Sequence, residues 1–469
     1  MLPVLRDRGG TWIGWMGESD SGPDVLAALR DAPSRTGYTL VPVTLTADEV
    51  RDFYLGFSNE VIWPLFHDLQ SLCHFKPIYW RAYRAVNQKF GHTITESARL
   101  NDFIWVHDYH LMHVGLELRQ IGLPNKLGFF LHIPFPPLDI FVKLPWRFEI
   151  LKALLQFDLL GFQTMRDRTN FAQCVRALLP EVRLSGKGQV LTARLDNREV
   201  RIGNFPISID FKGLVKRAAS EQITRAVADL KALLPDRQLI LGVDRLDYTK
   251  GIPNRLEALR DALRRYPELR EHITLIQVVV PSREDITQYN ELKNAIERLV
   301  GEINGEFTRP GGWVPIHYVF RNLPPEDLLS YYRAAQIALV TPLKDGMNLV
   351  SKEYCACSIE KDCVLILSEF AGAAAQLENG AILVNPYDVE GVADALVKAF
   401  RMPLAERRTR MIRMRKSIRE YDIFWWMNSY LRAAIAQDLD AFPAIADYVP
   451  KPDDGSNALT RAISADALT

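Results

Sequence analysis

Short apolar runs alternate with helix-like patterns along most of the chain. Each run is rich in Val, Ile, Leu and Phe, and stretches with polar residues at helical spacing separate one run from the next. This alternation is typical of parallel β-sheets covered by helices. The runs that predict strands are FIWV (103–106), LGFFLHI (127–133), DLLGF (158–162), QLILGV (238–243), ITLIQVVV (273–280), IHYVF (316–320), QIALV (336–340), CVLILS (363–368) and AILVN (381–385).

The runs fall into two groups, which predicts an α/β chain with two doubly wound domains, at 1–206 and 207–420. The change lies in RIGNFPISIDF (201–211), where a run ends at Pro206 and a charged helical stretch begins. The pattern at 407–431 is helical throughout, and its aromatic cluster Phe424, Trp425 and Trp426 needs a surface to pack on. We therefore expect a helix at 421–441 that crosses back to the first domain, and a disordered tail at 442–469.

Composition narrows the function classes. The chain has 469 residues, and Lys plus Arg balance Asp plus Glu at 57 each, so no global field favours nucleic acid or an acidic membrane. The five cysteines lack the spacing of a disulfide framework or a zinc site. No segment approaches the roughly 18 uninterrupted apolar residues of a spanning helix. We expect a soluble cytoplasmic protein; assembly into a homo-oligomer is left open.

Polar residues gather after several predicted strands. In open α/β sheets, ligands bind beyond the carboxyl ends of the strands, so these loops are the expected site. They are VHDYHLMH, HIPFPP, DRLDYTKG, VVPSRED and TPLKDGMNLVSKEY.

Two of these loops suggest an anion site. In DRLDYTKG, Arg245 offers a planar fork and Lys250 a point charge, both suited to a diphosphate; the alternative is surface pairing with Asp244 and Asp247. In TPLKDGMNLVSKEY, Asp345 and Gly346 precede a helix whose free amides and positive dipole end would face the same crevice. Glu353 would lie about two turns into that helix and reach a ribose hydroxyl. The alternative is that Asp345 is an ordinary N-cap and that Glu353 is a solvated helix residue.

The other loops suggest a sugar site. His107, His110 and His113 recur every three residues, so on a helix their side chains would point in different directions. This spacing argues against a shared metal ion. Asp108 is better suited to bind a sugar hydroxyl or accept its proton, and His132 to offer its carbonyl or imidazole to the reacting sugar. Tyr54 and Trp63 would form the wall of a sugar pocket, although aromatic residues at such spacing are more often core.

Eight blocks in this order resemble the retaining trehalose-6-phosphate synthase family, over nearly the whole chain to about residue 435. They are GTWIGWMGE, FSNEVIWPLFH, WVHDYHL, FFLHIPFP, DLLGFQT, VDRLDYTKGI, TPLKDGMNLVSKEY and LSEFAGAA. The resemblance implies a GT-B fold, in which two Rossmann-like domains face each other across a cleft. It also implies transfer of glucose from a nucleotide sugar, with UDP-glucose the expected donor, to glucose 6-phosphate, giving α,α-trehalose 6-phosphate without a metal or other cofactor.

The resemblance assigns roles to residues of the five loops, to the aromatic segment at 53–67 and to the chain near Leu323. It implies a diphosphate clamp at Arg245 and Lys250 and a uracil contact near Leu323. Leu349, Val350 and Glu353 would contact ribose and diphosphate, and His132, Asp345, Gly346, Met347 and Asn348 the donor sugar. The acceptor would contact Tyr54, Trp63, Asp108 and Arg283. The leaving diphosphate, held by the clamp and the helix end, would accept the acceptor hydroxyl's proton on the face where the bond breaks.

One departure from the family concerns the N-terminus. Members usually have a strand, an acceptor-phosphate arginine and a Gly-Gly loop before a segment like PVLRDRGGTWIGW, which here follows Met1 within a few residues. Either the start is assigned too far downstream, which we favour, or the chain lacks a central strand, which would expose the edges of its neighbours.

Three alternatives stay open. A glucosylglycerol-phosphate synthase shares most of the blocks and differs in its acceptor. A catalytically impaired or regulatory homologue would keep the fold and lose the clamp. A pyridoxal-phosphate-dependent sugar phosphorylase shares the fold type, but no cofactor lysine is evident. UDP, ADP and GDP remain open as the donor base.

Overall fold

Two six-stranded sheets organise the chain. The computed structural model describes residues 5, 9–17, 37–186, 188–196, 198–283, 286–310, 312–436 and 448–450. The predicted tail therefore lies almost wholly outside the described residues. The strands are β1 (Thr11–Gly14), β2 (Thr39–Pro42), β3 (Ile104–His107), β4 (Leu127–Phe130), β5 (Leu159–Phe162), β6 (Arg183–Ser185), β7 (Val190–Leu195), β8 (Arg198–Asn204), β9 (Gln238–Arg245), β10 (Ile273–Val280), β11 (Ile316–Phe320), β12 (Ile337–Val340), β13 (Val364–Ser368) and β14 (Ile382–Val384).

The sheet of the second domain is parallel throughout. Its strand order is β11-β10-β9-β12-β13-β14. The chain leaves β9 towards one edge and returns at β12 on the other side of β9, so the loops after β9 and β12 diverge at a topological switch point. In open α/β sheets the ligand crevice forms at such a point.

The sheet of the first domain has the order β3-β4-β5-β8-β7-β6. Strands β3, β4, β5 and β8 are parallel, whereas β6 and β7 extend the sheet in antiparallel pairing. Nine predicted strands lie where the apolar runs predicted them. The β6–β7 extension was not predicted, because VLTARL mixes polar with apolar residues instead of forming a continuous apolar run.

Strands β1 and β2 form a separate parallel pair. Within the described part of the chain, β1 pairs only with β2, and β3 pairs only with β4. A cavity of about 1060 Å³ lies between the two edges, lined by all of β1 and β3. The Trp12 ring stacks on His107 across it, with the ring centroids 6.3 Å apart. The absence of a first strand from this domain stays a prediction.

Helices cover both sheets. They are α1 (Ala47–Glu49), a π-helical segment (Val50–Ile62) that continues it, α2 (Trp63–Phe66), α3 (Pro77–Ser97), α4 (Val114–Ile121), α5 (Leu138–Phe141), α6 (Arg147–Leu154), α7 (Met165–Leu178), α8 (Phe211–Ala218), α9 (Glu221–Leu233), α10 (Ile252–Arg265), α11 (Thr287–Phe307), α12 (Pro325–Ala334), α13 (Leu349–Cys357), α14 (Ala374–Leu377), α15 (Val389–Arg401), α16 (Leu404–Glu420) and α17 (Ile423–Ile435). Among the described residues, no helix has the length and apolar content to cross a membrane.

The stretch predicted as helical throughout is two helices. It breaks at Tyr421 and Asp422, because the Asp422 carboxylate accepts the backbone N–H groups of Phe424 and Trp425 and so caps α17. The predicted return of the C-terminal helix to the first domain is confirmed. Trp426 donates its indole N–H to the Phe205 carbonyl, and the Tyr430 hydroxyl lies 3.1 Å from the carbonyl of Phe129 in β4.

Candidate active site

The loop after β9 directs Lys250 into the region between the two domains. Arg245 ends β9, and a short 3₁₀ helix, Tyr248–Lys250, follows. Gly251 then has φ +63°, and a Cβ atom there would lie 2.6 Å from the Thr341 carbonyl oxygen, so only glycine fits this turn. The tight turn brings the Lys250 Nζ to 2.7 Å from the Asp345 carboxylate.

The carboxylates next to the two predicted clamp cations have other partners. Asp244 pairs with the fully buried Arg255, and Asp247 accepts hydrogen bonds from Thr249 and lies 3.6 Å from Arg283. Within the described residues, Arg245 forms no ion pair, and its guanidinium lies 5.8 Å from the centre of the Trp63 ring. The surface-pair alternative for Arg245 and Lys250 is therefore wrong.

The loop after β12 meets the loop after β9. Asp345 is largely buried, which disfavours its ionisation, but the charge and hydrogen bond of Lys250, with smaller contributions from His67 and Asn348, outweigh this effect and lower the pKa of Asp345 below its ordinary value. The Asn348 amide also donates to Asp345, at 3.3 Å. A cation and an anion thus hold each other at the carboxyl ends of β9 and β12.

The helix after this loop begins later than predicted. Its N-cap is Asn348, in the left-handed region at φ 74°, and its side chain accepts the Ser351 N–H; Asp345 is not the cap. Glu353 is therefore the fifth residue of α13, little more than one turn from its start. Leu349 and Val350 form the first turn, where backbone N–H groups have no partner inside the helix.

Glu353 is largely buried and has a partner. The Tyr332 hydroxyl donates to its carboxylate at 3.0 Å. Burial raises the pKa of Glu353, and the hydrogen bond from Tyr332 partly offsets that rise. The solvated-glutamate alternative is wrong. Leu323 follows β11 and is half-buried against the hydrophobic core that contains Tyr332. Met347 is buried in that core.

The first domain closes on this loop at His132. A Cβ atom on Gly346 would lie 2.5 Å from the His132 carbonyl oxygen, so the two domains touch backbone to backbone here. The His132 N–H donates to the Asp108 carboxylate at 3.3 Å, and its imidazole Nε2 lies 3.1 Å from Nδ1 of His107. Burial lowers the pKa of both imidazoles, so both are neutral at pH 7.

Arg283 forms the other side of the crevice. Its guanidinium lies 4.3 Å from the centre of the Trp63 ring and donates to the hydroxyls of Tyr289, at 2.6 Å, and Tyr109, at 3.1 Å. Burial opposes its charge, but these phenols and Asp247 outweigh that effect and raise the pKa of Arg283 above its ordinary value. Since Trp63 and Tyr109 belong to the first domain, Arg283 bridges the two domains with its charge intact.

The chain matches known proteins over most of its length. Residues 1–436 match the family model described as Glycosyltransferase family 20. The chain belongs to this family. A trehalose-6-phosphate synthase of Mycobacterium avium is 42% identical over 92% of this chain and 88% of that protein.

Two solved structures bear on the site of this family 20 chain. The UDP-forming α,α-trehalose-phosphate synthase of Burkholderia xenovorans in complex with glucose 6-phosphate matches with a TM-score of 0.84 and 34% identity, covering 92% of this chain and 94% of that one. The E. coli protein bound with UDP-2-fluoro glucose matches with a TM-score of 0.84 and 36% identity, at the same coverage of both chains. The predicted GT-B fold is confirmed by these matches.

Tyr54 lies apart from the other predicted acceptor residues. Its ring stacks on His110, with centroids 5.7 Å apart, and faces the cavity between β1 and β3. Trp63 packs instead on Tyr109, at 5.7 Å. The family 20 chain thus brings Trp63 and Arg283 into direct contact and holds Tyr54 behind the rings of His110 and Tyr109.

Four residues of the site were missed by the sequence reasoning. Tyr109 and Tyr289 hold Arg283, Asp247 faces it, and Tyr332 holds Glu353. Tyr109 stands inside HDYHL, but the spacing of that block carries no sign of a partner 174 residues away. These contacts are tertiary, and periodicity reports only which face of an element is buried.

The three histidines of the HDYHLMH segment diverge. His107 contacts His132, His110 stacks on Tyr54, and His113 lies 3.1 Å from Glu117. No group of three or more His, Cys, Asp or Glu side chains able to hold a metal occurs among the described residues.

Proposed function

We propose that this glycosyltransferase moves glucose from UDP-glucose to glucose 6-phosphate with retention and releases α,α-trehalose 6-phosphate and UDP. One observation carries the proposal: Lys250, Asp345 and the first turn of α13 meet the His132 carbonyl in one crevice, while Arg283 and Trp63 line its other side. The names of its relatives support the same reaction.

The donor binds mainly to the second domain in this proposal. Arg245 and Lys250 grip the diphosphate, and the free amides of Leu349 and Val350 at the start of α13 bind it from the opposite side. Glu353 accepts hydrogen bonds from the ribose hydroxyls, and the chain near Leu323 contacts the base. The donor glucose lies against His132, Asp345, Gly346, Met347 and Asn348.

The acceptor binds between the domains. Arg283 takes the phosphate of glucose 6-phosphate, since a buried guanidinium that stays charged suits a dianion. Trp63 flanks the sugar ring, and Asp108 accepts a hydrogen bond from a hydroxyl. Tyr54 supports this side of the pocket from behind, through His110 and Tyr109. In this proposal, Lys250 moves from Asp345 to the diphosphate when the donor binds.

The chemistry needs no protein nucleophile. As the bond from the anomeric carbon to the diphosphate breaks, the leaving oxygen accepts the proton of the acceptor hydroxyl, which attacks on the same face. Arg245, Lys250 and the α13 amides stabilise the negative charge that grows on the diphosphate. No metal enters this mechanism; a cytoplasmic location and the oligomeric state stay predictions.

Product analysis tests the proposal. The purified chain is incubated with UDP-, ADP- or GDP-glucose and with glucose 6-phosphate or glycerol 3-phosphate, and products are identified by mass spectrometry. We expect a phosphorylated disaccharide only with UDP-glucose and glucose 6-phosphate. Product with glycerol 3-phosphate alone would favour glucosylglycerol-phosphate synthesis, and no product with any pair would favour a regulatory homologue.

A second, longer chain shows whether a failure to make product comes from missing N-terminal residues or from a wrong assignment of the reaction. It begins about twenty to thirty residues upstream of Met1, enough for one strand and its crossover connection. If only the longer chain makes product, the reaction stands and the extra residues are needed for it. If neither chain makes product, the proposed reaction is wrong.

A further inference from the structure

The chain crosses between its two domains twice, and the crossings lie side by side. The first crossing, called here the linker, is residues 205–210; the second leads into α17 at Ile423. The Ile423 N–H donates to the Ile209 carbonyl at 3.0 Å. Because these segments are the only backbone connections between the two sheets in the described residues, they form the hinge about which the domains would turn.

Ile207, in the middle of the linker, is held by one buried polar side chain from each domain. Its N–H donates to the Gln163 side-chain oxygen at 3.0 Å, and its carbonyl accepts from the Lys352 ammonium at 2.8 Å. Gln163 follows β5 in the first domain, and Lys352 lies in α13 of the second. Gln163 is 2% exposed and Lys352 is fully buried, so water does not compete for either contact.

Packing alone does not account for Lys352. Burial lowers its pKa to about 7, so the folded chain holds an amine in an environment that disfavours its charge. Within the described residues, Lys352 has no carboxylate partner, and its hydrogen bond goes to the linker. An apolar side chain of the same length would fill this space without the desolvation penalty. The bond to Ile207 is therefore the feature that distinguishes lysine here.

Both side chains also connect to the donor site. The Gln163 amide lies 3.5 Å from the His132 carbonyl, which meets Gly346 across the crevice. Lys352 precedes Glu353 in the short helix whose first turn faces the diphosphate. Gln163 and Lys352 thus connect the linker to the two sides of the crevice, at His132 in the first domain and at α13 in the second.

We propose that Gln163 and Lys352 are positioning residues that clasp the linker at Ile207 and set the angle at which the two domains meet. The proposal rests on the proposed function, because the donor sugar contacts both domains while UDP contacts mainly the second. The clasp therefore acts on the step that needs both domains and leaves UDP binding to the second domain nearly unchanged.

The test uses Lys352→Met, Gln163→Met and the double variant, with Tyr354→Phe as the control. Tyr354 is also buried in α13, but its hydroxyl bonds the Ala335 carbonyl inside the second domain. We measure UDP affinity by calorimetry, kcat by UDP release, and domain arrangement by small-angle X-ray scattering.

We expect both single variants to lower kcat about tenfold, the scale of losing one hydrogen bond from a buried polar group. UDP affinity should stay within about twofold of the original chain, and the scattering should show a wider range of domain arrangements. The double variant should be little worse than the more affected single variant, because both side chains act through one residue. Tyr354→Phe should change neither kcat nor the scattering.

Several results would overturn the clasp. These are unchanged kcat and scattering in both single variants, equal losses of UDP affinity and kcat, or the same losses in Tyr354→Phe. If Lys352→Met does not fold, Gln163→Met alone decides. If the original chain binds no UDP and makes no product, the proposed function fails, and the scattering then judges the clasp by itself.

Discussion

Replacement of Lys250 by methionine separates the catalytic and the structural roles of the clamp. In the folded chain, the Lys250 ammonium lies 2.7 Å from Asp345, and the two side chains are only 11% and 16% exposed. Methionine preserves the length of the side chain and removes the charge. Asp345 is then left with weaker partners, the Asn348 amide at 3.3 Å and the Met347 N–H at 3.4 Å.

Two losses follow, and they have different sizes and causes. Removing one preorganised charge from the leaving diphosphate costs about 3 to 4 kcal/mol in the transition state, which lowers kcat roughly 100- to 1000-fold. Leaving the Asp345 carboxylate buried without its cation costs about 3 kcal/mol of folding free energy. The chain relieves part of the second loss by protonating Asp345.

The pH dependence follows from the pKa of Asp345. In the original chain this pKa is lowered, so its contribution to stability is present above the unfolded pKa and is lost as pH falls through the folded value. Without Lys250 the dominant remaining effect is burial, which raises the pKa. The variant should therefore be least stable, relative to the original chain, near pH 7, and the difference should shrink as pH falls towards 5.

The assay compares Lys250→Met with the double variant Lys250→Met/Asp345→Asn. Chemical denaturation at pH 7 and pH 5 gives stability, and UDP release gives kcat. We expect the double variant to regain most of the lost stability, because no buried charge is left unpaired, while kcat stays at least about 100-fold down. Near-normal turnover in Lys250→Met, or recovery of turnover together with stability, would refute the role of Lys250 at the diphosphate.

Three further predictions concern other contacts. Gly346→Ala places a Cβ atom 2.5 Å from the His132 carbonyl oxygen, so it should separate the domains and lower kcat more than about tenfold, with unchanged circular dichroism. Tyr332→Phe removes the hydrogen bond to Glu353 and should weaken UDP binding about three- to tenfold by calorimetry. Since burial lowers the pKa of Lys352 to about 7 from 10.5, this residue makes stability rise with pH between those values, by on the order of 5 kcal/mol, and Lys352→Met should flatten that rise in chemical denaturation.

The first two of these predictions have a matched control. Gly122→Ala is the control for Gly346→Ala, because a Cβ atom at Gly122 would meet open space. Its φ of +86° means that this control loses some stability without a steric clash. Tyr354→Phe serves for Tyr332. Unchanged turnover in Gly346→Ala, unchanged UDP affinity in Tyr332→Phe, or an unaltered pH slope in Lys352→Met would contradict the respective contact.

The sequence predicted strands best where both faces of a strand are buried. Runs such as ITLIQVVV are continuous and apolar because helices cover both sides of the sheet, and β10 begins and ends where that run does. The β6–β7 hairpin was not predicted because only two of its nine strand residues are buried, so it forms no continuous apolar run. The helix start at Leu349 was misjudged, because Asp345 and Asn348 are both good caps and only the left-handed backbone at Asn348 decides between them.

The sequence indicated candidate site residues but not the contacts between them. Lys250 and Asp345 were both singled out, but nothing in the spacing indicates that they pair with each other, or that Asp244 pairs with Arg255 instead of a neighbour. Partners such as Tyr109 for Arg283 depend on how two domains meet. That arrangement is set by the linker and α17, far from either residue in sequence.

The configuration of the new glycosidic bond tests the proposed same-face mechanism most directly. The chain is given UDP-glucose and glucose 6-phosphate, and the anomeric protons of the phosphorylated product are recorded by NMR, where the 6-phosphate distinguishes the acceptor unit from the transferred glucose. Transfer on the face of the leaving diphosphate predicts a disaccharide with both anomeric centres α. A β centre on the transferred glucose would mean attack from the opposite face, and the same-face mechanism at Arg245, Lys250 and α13 would be wrong.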